Sequence, residues 1–160
     1  MRNLKRVIAG AIAVADLTAL CATSVFAATS SVKKGDTKST KTGGTYVVQK
    51  NKKVAYWTLS AKQKKNVKTV TIAKTIKIKG KTLKVTGISA NALKGIKKLK
   101  TIKINANITK INKNAFKGVT KKKLATIKVK VSKKVSKKSF NWLKKQLIKK
   151  GFKAKNITRK

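Results

Sequence analysis

The chain has 160 residues and a formal charge of +42, from 44 Lys and Arg against 2 Asp and Glu, yet 41% of it is hydrophobic. That apolar share supports one small folded domain and excludes a disordered basic tail. There is no histidine, Cys21 is the one cysteine, and Asp36 is the one carboxylate side chain after residue 16, so zinc sets, Cys/His nucleophiles and carboxylate acid–base pairs are missing. The expectation is a non-catalytic protein without a cofactor, whose charge is constant across the neutral pH range.

In chain order, residues 1–27 combine the basic MRNLKR, the apolar VIAGAIAVADLTAL and the small-residue end SVFA. This predicts a secretory signal cut between Ala27 and Ala28, and hence a secreted, extracellular and wall-associated location. An uncleaved N-terminal anchor is the alternative, although Asp16 leaves the apolar run short for a membrane span. Lipidation at Cys21 is disfavoured by the bulky Leu20 before it. Residues 28–44 are rich in Ser, Thr, Gly and Lys, with Val32 the one apolar side chain larger than alanine. They predict a flexible linker with little ordered structure before Tyr46.

Residues 45–66 open with TYVVQKNKKVAYWTLS, two β-branched and aromatic runs around a polar turn, which predicts a β-hairpin. Tyr46, Tyr56 and Trp57 suit either a base-stacking platform or, the favoured reading, a cap on the first repeat. From Val67 the chain repeats itself. VKTVTI (67–72), LKTIKI (99–104) and LATIKV (124–129) share the form apolar-x-x-apolar-x-apolar, which predicts short strands with one buried face. After them come ISANALKG (88–95), INKNAFKG (111–118) and the degraded VSKKSFNW (135–142), predicted as corners. Between the first strand and its corner, KTIKIKGKTLKVTG predicts an inserted hairpin about Lys79-Gly80-Lys81. The last unit runs into SFNWLKKQLIKKG, where Phe140, Leu143 and Leu147, with Ile148 beside them, follow helical spacing and Gly151 ends the helix. Such a helix either lies on a membrane or, the favoured reading, covers the open end of the stack.

The second unit, LKTIKINANITKINKNAFKG, resembles the bacterial leucine-rich repeats of BspA-like surface proteins, whose units run L-x-x-I-x-I-P-x-x-V-x-x-I-x-x-x-A-F. The likeness covers about residues 67–158. It departs from the pattern in having Asn105 where the family has proline and in losing the third corner. The fold expected on this basis is an α/β repeat solenoid, a short leucine-rich-repeat stack with an N-terminal β-hairpin cap and a C-terminal helix cap. The resemblance implies a surface adhesion module that binds through its concave strand face.

Stacking would align Val67, Leu99 and Leu124, then Val70, Ile102 and Ile127, then Ile72, Ile104 and Val129 as buried ladders. The residues between them would face out: Lys68, Lys100 and Ala125; Thr69, Thr101 and Thr126; Thr71, Lys103 and Lys128. A grid of threonine hydroxyls flanked by lysines would accept an anionic polymer and release its counterions. Lysine is a point charge without arginine's planar fork, so sequence-blind gripping of a cell-wall polymer or acidic glycan is the first expectation. A nucleic-acid-binding protein and a protein-recognition module are the alternatives, and a monomer is expected.

Overall fold

A computed structural model describes residues 31–41, 44–51 and 54–160. The predicted secretory signal, with Cys21 and its cleavage point at Ala27 and Ala28, lies outside the described residues, as do residues 28–30, 42 and 43 of the predicted linker. The strands in chain order are β1 (Thr37–Thr40), β2 (Gly44–Val48), β3 (Val54–Thr58), β4 (Thr69–Ile72), β5 (Thr75–Ile78), β6 (Lys81–Ile88), β7 (Thr101–Ile104), β8 (Lys110–Ile111), β9 (Lys128–Val131) and β10 (Ile157–Arg159). The helices are α1 (Ala61–Asn66), α2 (Lys121–Thr126) and α3 (Lys137–Lys149).

The two predicted hairpins form where the turn chemistry asks for them. β2 and β3 pair antiparallel, as do β5 and β6. The second hairpin turns on Lys79 and Gly80, with φ of 47° and 78°. Two consecutive left-handed residues give the turn whose twist matches that of paired strands.

The repeat solenoid is not the architecture that results. The strands build two sheets, one mixed, of order β1-β2-β3-β6-β5 with β8 beside β6, and one parallel, of order β10-β9-β7-β4. The N-terminal hairpin is therefore not an end cap. β3 runs parallel to β6, with Tyr56 opposite Gly87 and Trp57 opposite Ile88, which places the hairpin inside the larger sheet. Nor is α3 a lid on a stack: it is the crossover that returns the chain from β9 to its parallel neighbour β10.

The physical reason lies in the corner segments, which carry strand pairing of their own. Ile88 at the end of β6 sits opposite Ile111 of β8, the Asn112 N–H donates to the Ile88 carbonyl at 3.0 Å, and the Asn91 N–H to the Asn114 carbonyl at 2.9 Å. The two copies of the repeated clause thus lie side by side. The third copy has no such strand, because the Ser136 hydroxyl accepts from the Ser139 N–H and starts α3 there.

One apolar core joins both sheets. Tyr46, Trp57, Val85 and Ile88 from the larger sheet pack in the same cluster as Val70, Ile72, Ile102, Ile104, Val129 and Val131 from the smaller, with Leu143 and Leu147 of α3. Phe116 and Phe152 close it with an edge-to-face contact at 5.3 Å.

A smaller cluster of Val32, Val48, Ile78 and Leu83 gives ordered structure to residues 31–41, where the sequence predicts a flexible linker with little order before Tyr46. Val32 is buried, Asp36 accepts from the Lys33 N–H at 2.7 Å and pairs with Lys79 at 3.0 Å, and β1 adds an antiparallel edge to β2. The one large apolar side chain and the one carboxylate of that stretch thus fasten it alongside the β1–β2 pairing.

Candidate anion-binding face

The outer face of the parallel sheet follows from its register. Val70, Ile102, Val129 and Ile157 form one row facing the core, and Ile72, Ile104 and Val131 another. Between them Thr69, Thr101 and Lys128 align outward, and so do Thr71, Lys103, Lys130 and Thr158. β4 and β7 match the predicted ladders from Thr69 and Thr101 onward, while Val67, predicted as a buried rung, precedes β4 and is half-buried, and the third strand is displaced by two residues.

Residues expected as the first half of that third strand form α2 instead. The Thr120 hydroxyl caps it by accepting from the Lys123 N–H at 3.2 Å, and Leu124 anchors it in the core. Ala125 and Thr126 thus leave the strand grid. A displacement of two preserves the side of the sheet that each residue faces, so Lys128 still points to solvent.

Two depressions mark this face. One, of about 340 Å³, is lined by Leu99, Lys100, Thr101, Lys123, Thr126 and Lys128. The other, of about 210 Å³, is lined by Lys128, Lys130, Lys155, Asn156, Thr158 and Lys160. They meet at Lys128 and make one lysine-walled path from β7 across β9 to β10.

Of the predicted contact residues, Lys100, Thr101, Thr126 and Lys128 come together in the first depression. Lys68, Thr69 and Thr71 stay on or beside β4, lining neither, and Lys103 lies in the row next to Lys130. Lys123, Lys130, Lys155, Asn156, Thr158 and Lys160 are not among the predicted contacts. For Lys130 a signal exists, since IKVKV alternates without a break from Ile127 to Val131. Lys155 and Lys160 reach the site only through the pairing of β10 with β9.

Local bonds set what the path offers. Lys123 Nζ donates to the Lys97 carbonyl at 3.0 Å, and the Thr126 hydroxyl to the Lys123 carbonyl at 2.8 Å. Asn156 Nδ2 donates to the Ala125 carbonyl at 2.7 Å, tying the start of β10 to α2. Arg159 points to the other side of β10: its Nη2 donates to the Lys133 and Val135 carbonyls at 2.6 and 2.8 Å, and its Nε to Val135 at 3.2 Å. The guanidinium is a latch within the fold, and the path is built from lysine.

No carboxylate side chain among the described residues faces the path. Asp36, the one such group among them, lies just before β1 of the larger sheet, where the Lys33 N–H and then Lys79 hold its pKa below the ordinary value of 3.8. Tyr46 and Trp57 are buried in the core, which removes them as a platform for stacked bases. No helix among the described residues is long and apolar enough to cross a membrane.

Comparison of the chain with protein-family models, curated proteins and solved structures gives no match, so the resemblance to BspA-like repeats rests on the quoted residues alone.

Proposed function

We propose that this is a secreted, surface-associated binding module that grips anionic polymers, a cell-wall polymer or an acidic glycan, across the outer face of its parallel sheet. The supporting observation is the pair of depressions sharing Lys128 that align Lys100, Lys128, Lys130 and Lys155 along one face, walled by lysine and hydroxyl groups with no carboxylate side chain of the described residues near it. Neighbouring strands stand about 4.8 Å apart, so like charges on adjacent strands repel, and an anionic chain laid across them relieves that repulsion while releasing counterions. The path offers neither arginine forks nor stacking rings, which favours recognition of charge density over base sequence.

The test is binding of wall polymer, acidic glycan and duplex DNA at several salt concentrations. Replacing Lys100, Lys128, Lys130 and Lys155 by Gln should lower affinity for the preferred polymer about tenfold or more and flatten its salt dependence by roughly three ions. The same number of changes at Lys33, Lys34, Lys38 and Lys41, on and around β1, is the control. Equal losses in the two variants would remove the path as the site. Preference for DNA at matched charge would make this a nucleic-acid-binding protein, and capture of a protein that survives high salt would make it a protein-recognition module.

A further inference from the structure

A second feature, on α3, shares no residue with the lysine path. Ile148, which the sequence places beside the helically spaced Phe140, Leu143 and Leu147, is 42% exposed and is the exposed large hydrophobic of the described residues. It lines a shallow depression of about 570 Å³ together with Asn141, Trp142, Lys144 and Lys145. Trp142 is half-buried and also borders a second depression of about 270 Å³, beside Ile108, Thr109, Lys138 and Ser139. The opposite side of the helix is locked down, with Leu143 and Leu147 buried in the core. The outward side is therefore a patch in which the exposed Ile148 and the half-buried Trp142, itself packed in part against the core, stand among Lys138, Lys144 and Lys145, and α3 contains no acid.

The pairing of chemistries narrows the occupant. A hydrophilic polyanion would meet the lysines but has no use for Ile148. A neutral apolar partner would cover Ile148 and Trp142 but leave the surrounding ammonium groups desolvated without partners. A surface with anionic groups on the outside and hydrocarbon just beneath satisfies both, and tryptophan and lysine are the side chains that settle at such a boundary. We infer that the outward side of α3 docks on an anionic lipid surface, with Trp142 and Ile148 entering the headgroup region and Lys138, Lys144 and Lys145 meeting lipid phosphates. The helix stays folded on its own core while it does so, lying on the bilayer.

The experiment is fluorescence of the full chain with vesicles of phosphatidylcholine alone, or mixed with phosphatidylglycerol, carrying lipid brominated near the headgroup. Trp57 is wholly buried and supplies an unquenched background, so the change reports Trp142. Anionic vesicles should quench and blue-shift the Trp142 emission, neutral vesicles should not, and Trp142→Phe should abolish the quenched component. Ile148→Lys should reduce the quenching by about half or more, because a charge replaces the inserted apolar group. Binding of the anionic vesicles without quenching of Trp142 overturns the inference, since another part of the chain would then hold the lipid. Equal quenching by neutral vesicles overturns the role of the lysines, and no association with either vesicle overturns the whole. Anionic vesicles held without Trp142 quenching would point to the lysine path instead, and the Gln variant of Lys100, Lys128, Lys130 and Lys155, which leaves α3 untouched, distinguishes the two sites.

Discussion

Tyr46 shows how much one side chain can carry. It stands on β2 of the larger sheet, yet its hydroxyl accepts from the Ala73 N–H at 3.0 Å and donates to the Thr71 carbonyl at 3.4 Å, both at the end of β4 in the smaller sheet. Tyr46→Phe keeps the packing and strands those backbone groups, which should lower stability by about 1–2 kcal/mol. Urea unfolding should show a lower midpoint at unchanged slope, and an unchanged midpoint would mean that water already serves Ala73 and Thr71. Gly87 has a different constraint. A Cβ there would lie 2.5 Å from ring carbons of Tyr56, which sits opposite on β3. Gly87→Ala should cost about 1–3 kcal/mol by the same measurement, because the ring must move off the sheet to admit the methyl group.

The hairpin of β5 and β6 is the element whose sequence and geometry agree most closely. Gly80 at φ 78° has open space around its missing Cβ, so a substitution there meets backbone strain rather than a clash. Gly80→Val should destabilise the turn by about 1–2 kcal/mol. Hydrogen exchange should report the loss as faster exchange of the β5 and β6 amides, with the β7 and β9 amides little changed. If protection falls equally everywhere, the hairpin is not a separable unit. The third strand teaches the opposite lesson. LATIKV matches the repeat by type, but Thr120 as a helix cap and Leu124 as an anchor claim its first half, and the strand begins later at Lys128. Pattern alone could not decide between two apolar placements that keep the same in-and-out parity.

For the whole molecule, the surplus of lysine sets how stability responds to solvent. Raising salt from about 0.01 M to 1 M shortens the screening length from about 30 Å to 3 Å, so the unfolding temperature should climb as repulsion is damped. A flat response would mean that the lysines are too well solvated to oppose folding. Stability against pH should be a broad plateau. At the acid end, Asp36 has a folded pKa below 3.8, so its contribution is present above that value and is lost as pH falls through the folded pKa. At the alkaline end, burial raises Tyr46 above 10 despite the opposing Ala73 N–H, so its contribution is present below pH 10 and is lost as pH rises through the folded pKa. Lys64 acts in the other direction there: burial and then Lys94 lower its pKa, so its penalty is relieved as pH rises through that lowered value. Thermal unfolding across pH should show the acid step shrink in Asp36→Asn.

Features that are local or compositional were legible in the chain before it folds. The charge, the lack of histidine and of carboxylates after residue 16 other than Asp36, the two hairpins, the first two strand ladders and the span of α3 all follow from residue counts, turn chemistry and periodicity over a few positions. Folding in three dimensions was needed to bring the corner segments into strand pairing, to join β3 to β6, and to fasten the stretch before β2 through Val32 and Asp36. It also selected which lysines share a path, because Lys100, Lys128 and Lys155 meet only once β7, β9 and β10 lie side by side. Pairing between distant strands depends on which partner buries more apolar surface and leaves fewer backbone groups unbonded, a comparison over the whole chain that no local window contains.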